Sequence, residues 1–429
     1  MEDIVCNRCS LLCDDVLAEI GKEETKSMGL CRLGHTHLER VAHFSKIEAI
    51  SRANGKEKEL SLDDALERAA DMLIEAKHPL LYGWSRCTNE TIREGLSLAE
   101  TLKAVFDSST SLGLSLSMDH DAHHMQIETD LEAVQNKGEF ILYWGSNPVE
   151  SSHRHASRFT VFPRGKDVPQ GVESRVIGVI DVRETETMKM GNHRIIIPHG
   201  RDSELARVLI DDLTGKMPIK TSTLGIPAAI LVGLSQALRK SDFTAIFYGT
   251  GIINSGNASE NISLLGELVQ TLNALGKKAY IMPMWHAPND MGIIKSTKEL
   301  FSTPFGIDFA SGKPTPIEEG NTLQRLAAGE FDVALVVGND ALEILPGQAA
   351  RGLANSNTIY IGSIGGLMDH RAHLSLRASD DIMFASGSMT RIDMKDMQLK
   401  PWGTTRTVTQ NVFDVITRLH KLIQAKLTN

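Results

Sequence analysis

The feature that most constrains this chain is a repeated one. Short apolar runs end at a glycine and give way to polar, helix-like stretches. PLLYGWS is followed by TNETIREGLSLAETL, and the same pattern opens EFILYWGSNP (139–148), SRVIGVIDVRET (174–185), FTAIFYGTGIINSG (243–256), FDVALVVGNDALE (331–343) and TIYIGSIGG (358–366). Apolar runs of about five residues alternating with helices read as buried parallel strands in an α/β architecture. The closing glycines mark strand-to-loop turns, and ligands of open α/β sheets sit at that carboxyl-end rim. Gly145-Ser-Asn-Pro148 and Gly338-Asn-Asp-Ala341 look alike although far apart in sequence, which suggests two similar halves facing a shared crevice. None of these loops carries G-x-G-x-x-G or G-x-x-x-x-G-K-[ST], so a standard Rossmann or P-loop nucleotide site is unsupported.

A second feature is the cysteine distribution. Four of the five cysteines fall in the first forty residues, as Cys6-x2-Cys9-x3-Cys13-x17-Cys31. Three thiols on one tight turn and a fourth returning from a short excursion can converge on a [4Fe–4S] cluster or a tetrahedral zinc. The competing reading is a set of buried free cysteines acting as small hydrophobes. The balance of 45 Lys+Arg against 54 Asp+Glu gives a net charge of −9. That acidity, with no basic run, argues against a nucleic-acid partner. The start of the sequence lacks the charged and apolar regions of a secretory signal, and no apolar stretch is long enough to span a membrane. A cytoplasmic address is the resulting expectation, and there a cysteine cluster means metal more often than disulfide. At 429 residues there is room for two or three packed domains.

Local signals fill in the rest. Asn54-Gly55 predicts a two-residue hairpin turn. Ser61 predicts the N-cap of a helix whose Ala65, Leu66, Ala69, Leu73 and Ala76 share one face, ended by Lys77-His-Pro79. Residues 376–402 break the rhythm and predict a strand or two wrapping the edge of the last domain, before a final amphipathic helix. Asp119-His120-Asp121-Ala-His123-His124 is the densest titratable cluster. It could place zinc ligands on one helix face, but without an apolar frame it reads better as a solvated surface segment. His153-Arg-His155 with Arg158 reads as contacts to other chains of an assembly or as ion pairs, with a ligand role as the alternative. Trp285–Asp290 and Phe305–Asp308 are loops of either recognition or plain turn chemistry. Cys87 reads as an inert buried thiol, and no G-x-S-x-G elbow is present.

Several blocks carry a resemblance. VCNRCSLLCDD…CRLGH, HPLLYGWS, ILYWGSNPVESSHRHASR and GIDFASGKP resemble the corresponding blocks of the B subunit of formylmethanofuran dehydrogenase, of the molybdopterin/tungstopterin oxidoreductase superfamily. The resemblance spans nearly the whole chain, strongest over 1–165 and weaker after about 365. It implies a multidomain α/β fold with parallel sheets flanked by helices. A cysteine-rich segment at 1–55 would precede α/β domains at 56–165 and 330–429 around a pterin crevice, with a Rossmann-like domain at 166–329. It also implies that Cys6, Cys9, Cys13 and Cys31 hold a [4Fe–4S] cluster, although four thiolates suit zinc equally.

The catalytic positions depart from that pattern. The family's metal-ligating cysteine falls on Gly113, its neighbouring histidine on Leu114, and a pocket arginine on Thr315. The late pterin-contacting region differs too, with Asp369-His-Arg-Ala-His373. Glycine offers no ligand atom and leucine cannot move a proton, whereas tungsten or molybdenum beside two dithiolenes needs a soft or open ligand position and charge partners. The expectation is therefore that no molybdopterin or tungstopterin is bound. The chain is most similar in this respect to the B subunit of the bacterial formyltransferase/hydrolase complex. Such assemblies move formyl from formyl-tetrahydromethanopterin through a methanofuran-type carrier to formate. The resemblance implies a structural, non-catalytic subunit with amidohydrolase-like, formyltransferase-like and C-subunit-like partners. The rival reading is a working Mo/W-dependent dehydrogenase subunit with an unusual ligand set; a third is a stand-alone α/β enzyme with zinc at the cysteines.

Overall fold

The computed structural model describes residues 1–20, 25–41, 48–119, 127–318, 320–338, 340–379, 387–400 and 410–428. In chain order its strands are β1 (Glu2–Cys6), β2 (Cys13–Ile20), β3 (Thr25–Met28), β4 (Ala49–Ala53), β5 (Lys56–Leu60), β6 (Pro79–Gly83), β7 (Val105–Ser108), β8 (Phe140–Trp144), β9 (Val176–Asp181), β10 (His193–Ile196), β11 (Phe243–Tyr248), β12 (Lys278–Pro283), β13 (Ile307–Asp308), β14 (Thr315–Pro316), β15 (Val333–Val337), β16 (Asn357–Gly362), β17 (Leu374–Arg377), β18 (Ser388–Thr390) and β19 (Asp396–Gln398). The longer helices are α1 (Arg32–Val41), α2 (Leu62–Glu75), α3 (Asn89–Leu102), α4 (Asp202–Leu213), α5 (Ala228–Lys240), α6 (Ala258–Ala274), α7 (Asp290–Phe301), α8 (Asn321–Ala328), α9 (Gly347–Asn355) and α10 (Val412–Thr428). Among the described residues no helix is long and apolar enough to cross a membrane. The chain divides into two units, Met1–Ser115 with Ala287–Arg391 and Asp396–Asn429, and Leu116–His286 with Ile392–Lys395.

The first unit is built on a mixed sheet ordered β14-β13-β7-β6-β15-β16-β17-β4-β5. Its centre, β7 to β17, is parallel, and antiparallel pairs extend it at both ends. Both faces of the centre are covered. On one, Leu66 and Leu73 of α2, Leu96 of α3 and Val415 and Leu419 of α10 pack with Leu81, Leu335 and Ile361. On the other, Leu326 of α8 and Leu353 of α9 pack with Leu80, Val336 and Tyr360. Two-sided burial is why these strands read as continuous apolar runs rather than alternating ones. The sheet's outer strands differ: β5, KEKEL, is almost wholly exposed, and β14 is the exposed pair Thr315-Pro316. Asn54 and Gly55 join β4 to β5 with φ of 52° and 72°, the left-handed pair a two-residue turn requires. Ser61 caps α2 by accepting the Asp64 N–H at 3.2 Å. The helix stops at Glu75, and Pro79 opens β6.

Strands β1, β2 and β3 form a separate antiparallel sheet at the start of this unit. Its Val5 and Leu12 pack against Met389, Met397 and Leu399. The 376–402 region therefore does more than wrap an edge: β17 joins the large sheet, while β18 and β19 pair with each other and cover the cysteine-bearing sheet.

The second unit holds an all-parallel sheet ordered β10-β9-β8-β11-β12, the doubly wound pattern in which the first strand lies centrally. Leu205 and Leu209 of α4, Leu234 of α5 and Leu268 of α6 pack with Leu142 and Ile246 of the sheet. This division differs from the one expected from sequence. Strand β8, expected beside β6, pairs with β9 and β11, and residues 287–329 supply α7, β13 and β14 to the first unit. An apolar run declares that it is a strand, not which of two similar sheets it joins. The look-alike loops at Gly145 and Gly338 accordingly close strands of different sheets.

Candidate functional site

In the first unit the sheet order reverses between β6 and β15, and open α/β sheets bind ligands at the carboxyl ends of strands at such a point. The backbone there is tight. Gly83 has φ of 117°, and a Cβ on it would meet Val337 O at 2.5 Å. Trp84 follows in the left-handed region at φ 73°, its N–H donating to Val337 O at 2.8 Å. Its ring stacks on Phe106 with centroids 5.1 Å apart and fills the space beside Gly95. A non-glycine residue held in this conformation carries strain that the surrounding packing must sustain.

Strand β7 ends at Asp107-Ser108 and enters a buried 3-10 turn, Ser109–Leu112. Ser109 Oγ donates to Asp290 Oδ1 at 2.9 Å, and Ser111 Oγ donates to Ser108 O at 2.8 Å. Asp290 is the first residue of α7; its Oδ2 is buried without a hydrogen-bond partner. Burial lifts its pKa to about 7, only partly offset by the Ser109 hydroxyl. Asp107 accepts the Ser108 N–H at 2.7 Å, and burial pushes it up to about 6. The hydroxyls of Thr322 and Ser111 face this carboxyl and hold it down somewhat, but neither reaches Oδ2 in hydrogen-bond geometry. Tyr82 pairs in register with Asp107, and its buried hydroxyl likewise lacks a partner. Burial, reinforced by Asp107 and Asp290 and only partly offset by the nearby Ser111 hydroxyl, raises it well above the usual tyrosine range. The rim is thus a set of hard oxygen donors. The sequence placed Asp290 only in a loop of recognition or turn chemistry and missed Asp107, whose signal was an aspartate near the end of an apolar strand directly before a Ser/Thr run.

Gly113 and Leu114 follow this turn. Gly113 sits at φ 122°, where any side chain is strained, and Leu114 is fully buried. Thr315 lies elsewhere, exposed on outer strand β14, with its hydroxyl donating to Lys313 O at 3.3 Å. The residues present supply no thiolate at 113–114, and this backbone would not comfortably carry one. They do not fit the cysteine-ligated metal that the resemblance implies for that position.

The cysteines occupy the first sheet and its return. Cys6 ends β1, Cys13 opens β2 opposite it, Cys9 lies in the turn between them, and Cys31 precedes α1. All four are free thiols. Burial pushes the Cys6 thiol far above its ordinary range, and Cys9, Cys13 and Cys31 add to the rise. Burial, then Cys13, pushes Cys9 up to about 12. The four therefore share one neighbourhood. Gly34 leaves room for Cys6, since a Cβ there would lie 3.1 Å from its Sγ, and the Gly34 N–H donates to Cys31 Sγ at 3.4 Å. A buried hydrogen bond between His37 Nε2 and Asn7 Oδ1, 2.7 Å apart, ties α1 to the cysteine turn. Four soft donors with an N–H aimed at sulfur suit an iron–sulfur cluster or zinc. As placed, however, no group of three or more His, Cys, Asp or Glu among the described residues stands in metal-holding geometry.

The remaining candidates resolve individually. Asp119 is half-buried, while His120, Asp121, His123 and His124 lie outside the described residues. His155 is a core residue rather than an ion-pairing one. Its Nδ1 is 3.1 Å from Tyr143 Oη, its ring meets Phe247 edge-on at 4.6 Å, and burial depresses its pKa to about 3. Asp308 accepts from Arg325 at 2.9 Å, and Asp369 accepts from Ser375 at 2.6 Å and Arg377 at 3.1 Å. Cys87 is buried against Gly338. In the second unit the Gly145 loop is closed by backbone: Gly251 N–H donates to Gly145 O at 3.0 Å, and Trp144 Nε1 donates to buried Asp202 at 2.8 Å.

No protein-family model matches the chain. It is 32% identical, over 374 residues and 84% of both chains, to the B subunit of the tungsten-containing formylmethanofuran dehydrogenase 2 of Methanocaldococcus jannaschii. The chain belongs to the formylmethanofuran dehydrogenase B-subunit family. The Methanococcus maripaludis protein of the same description is 30% identical over the same share of each chain. Two solved structures have the same fold. The formyltransferase/hydrolase complex FhcABCD from Methylorubrum extorquens, in complex with methylofuran, aligns with a TM-score of 0.68 at 16% identity, over 89% of this chain and 100% of that one. Acetylene hydratase from Pelobacter acetylenicus aligns with a TM-score of 0.71 at 12% identity, over 98% of this chain and 69% of that one. The expected molybdopterin-oxidoreductase-like α/β fold is therefore the observed one.

Proposed function

We propose that this family member is a structural, non-catalytic subunit of a cytoplasmic formyltransferase/hydrolase-type complex in one-carbon metabolism. Its partners would be amidohydrolase-like, formyltransferase-like and C-subunit-like chains, which carry formyl from formyl-tetrahydromethanopterin through a methanofuran-type carrier to formate. The observation that carries this reading is Gly113 at φ 122°, with buried Leu114 after it, where the family's metal-binding cysteine and histidine would stand. The surrounding donors are hydroxyls and carboxyls, which are poor partners for a soft dithiolene-bound metal. The chain would then bind no molybdopterin or tungstopterin, and a cluster or zinc at Cys6, Cys9, Cys13 and Cys31 would serve to hold residues 1–40 against the rest of the unit.

A second reading has its own support, because both similar curated proteins are described as tungsten-containing. It makes this chain a working dehydrogenase subunit with an unusual ligand set. Metal analysis of the purified complex decides. Stoichiometric tungsten or molybdenum, with pterin released by acid, would overturn the structural reading; their absence from an assembled complex that still turns over formyl carrier supports it.

A further inference from the structure

The first unit has a cavity far from the carboxyl-end rim. It lies at the amino ends of β15 and β16, bounded by the β4–β5 turn and the last turns of α2, with a volume of about 540 Å³. Small-molecule sites span roughly 300–1,000 Å³. Arg52, Arg68 and His373 line it, together with Glu75, Asp332 and the apolar Met72.

The cations are held in place and incompletely used. Arg52 donates through Nε to Glu57 at 2.7 Å and through Nη1 to Ala372 O at 3.2 Å, which fixes the guanidinium. Arg68 donates to the neutral Ser51 hydroxyl at 2.5 Å, and no carboxylate pairs with it among the described residues. His373 Nδ1 accepts the Thr358 N–H at 3.2 Å, so a neutral ring carries its proton on Nε2 as a donor. Asp332 is held as a carboxylate by backbone N–H groups of Lys77, His78 and Val333, which occupy its two oxygens at 2.7–3.0 Å and leave them no capacity to bind a cation. Glu75 and Asp332 are the two acids opposing a bound anion.

We propose that this cavity is a second ligand site, which takes a small molecule by one carboxylate or phosphate group set against Arg68 and Arg52. The apolar wall at Met72 receives a body of modest size, and Glu75 disfavours polyanions. Amino-end rims of parallel sheets are not where this fold class performs chemistry, so the site is a regulatory one, independent of the reading given above.

The test uses the full-length chain. Thermal unfolding is followed in inorganic phosphate and, separately, acetate, each against sodium chloride at equal ionic strength. The expected result is a saturable rise in melting temperature above the chloride curve, with phosphate or acetate identifying the preferred acid. Arg68→Gln, which removes the guanidinium but keeps a side-chain donor, raises the half-saturating concentration about tenfold, the scale of one charge-assisted hydrogen bond. Glu75→Gln lowers it. Titrations unchanged by Arg68→Gln, or anion curves that superimpose on chloride, overturn the proposal.

Discussion

Asp290 offers the sharpest quantitative test of the buried rim. Its carboxyl makes one hydrogen bond, from Ser109, and leaves Oδ2 without a partner, so burial raises its pKa from 3.8 to about 7. The folded state therefore holds a proton that the unfolded chain releases above pH 4. Stability from this group is fully present below the unfolded value and is lost as pH rises toward 7. At about 1.4 kcal/mol per pH unit the total is about 4 kcal/mol, of which about 2 kcal/mol falls between pH 5.5 and 8.5. Asp290→Asn preserves the shape and the acceptor for Ser109 but cannot ionise. Urea unfolding of the full chain at pH 5.5 and 8.5 should show the midpoint of the native protein dropping by roughly half a molar or more further than that of Asp290→Asn. Equal pH dependence in the two proteins would refute the claim that Asp290 is buried and protonated.

Three further outcomes follow from other parts of the molecule. Gly113→Ala should destabilise by about 1–3 kcal/mol in the same urea assay, because its φ of 122° is costly for any side chain; an unchanged midpoint would mean the turn relaxes freely. Cys9→Ser should remove iron or zinc from the purified chain and lower its melting temperature by roughly 5 °C or more, whereas lost turnover in a stable, fully assembled complex would restore an electron-transfer role. His155, depressed to about 3, binds fewer protons folded than unfolded, so its contribution is lost as pH falls below 6.5. By pH 5 that amounts to about 2 kcal/mol, and His155→Gln should flatten the acid limb of the stability curve measured by thermal unfolding.

Much of the architecture was legible because buried parallel strands leave an unambiguous trace. PLLYG, FILYW and VALVV are all strands, and the helix capped by Ser61 begins where its side chain says it should. Sheet membership was not legible. FILYW and PLLYG are alike in character, and only long-range pairing assigns β8 to one sheet and β6 to the other. The cysteine lobe was legible as a cluster of thiols, since spacing alone brings three to a turn. Its closure by Gly34 and the His37–Asn7 bond was not, because both depend on how α1 folds back. At the carboxyl-end rim the family resemblance directed attention to Gly113 and Leu114, but not to the carboxyls that stand beside them. Asp107 and Asp290 are separated by 182 residues of intervening chain, and their environment exists only once α7 docks beside the Ser109 turn. His155 misled for the same reason: a histidine beside arginines reads as an ion-pairing or contact residue until Tyr143 and Phe247 enclose it.

The two outer strands of the large sheet bear on how this protein can associate. An unprotected strand is a template for another chain, and exposed backbone of this kind invites runaway polymerisation. Here one margin alternates Lys56, Glu57, Lys58 and Glu59, and the other is two residues long and includes Pro316, which has no N–H to offer. Neither margin can readily accept a strand from a neighbour. Growth by continuation of this sheet is thus blocked from both sides, and association through it has to be specified by side-chain surfaces, which can distinguish one partner from another where backbone ladders cannot.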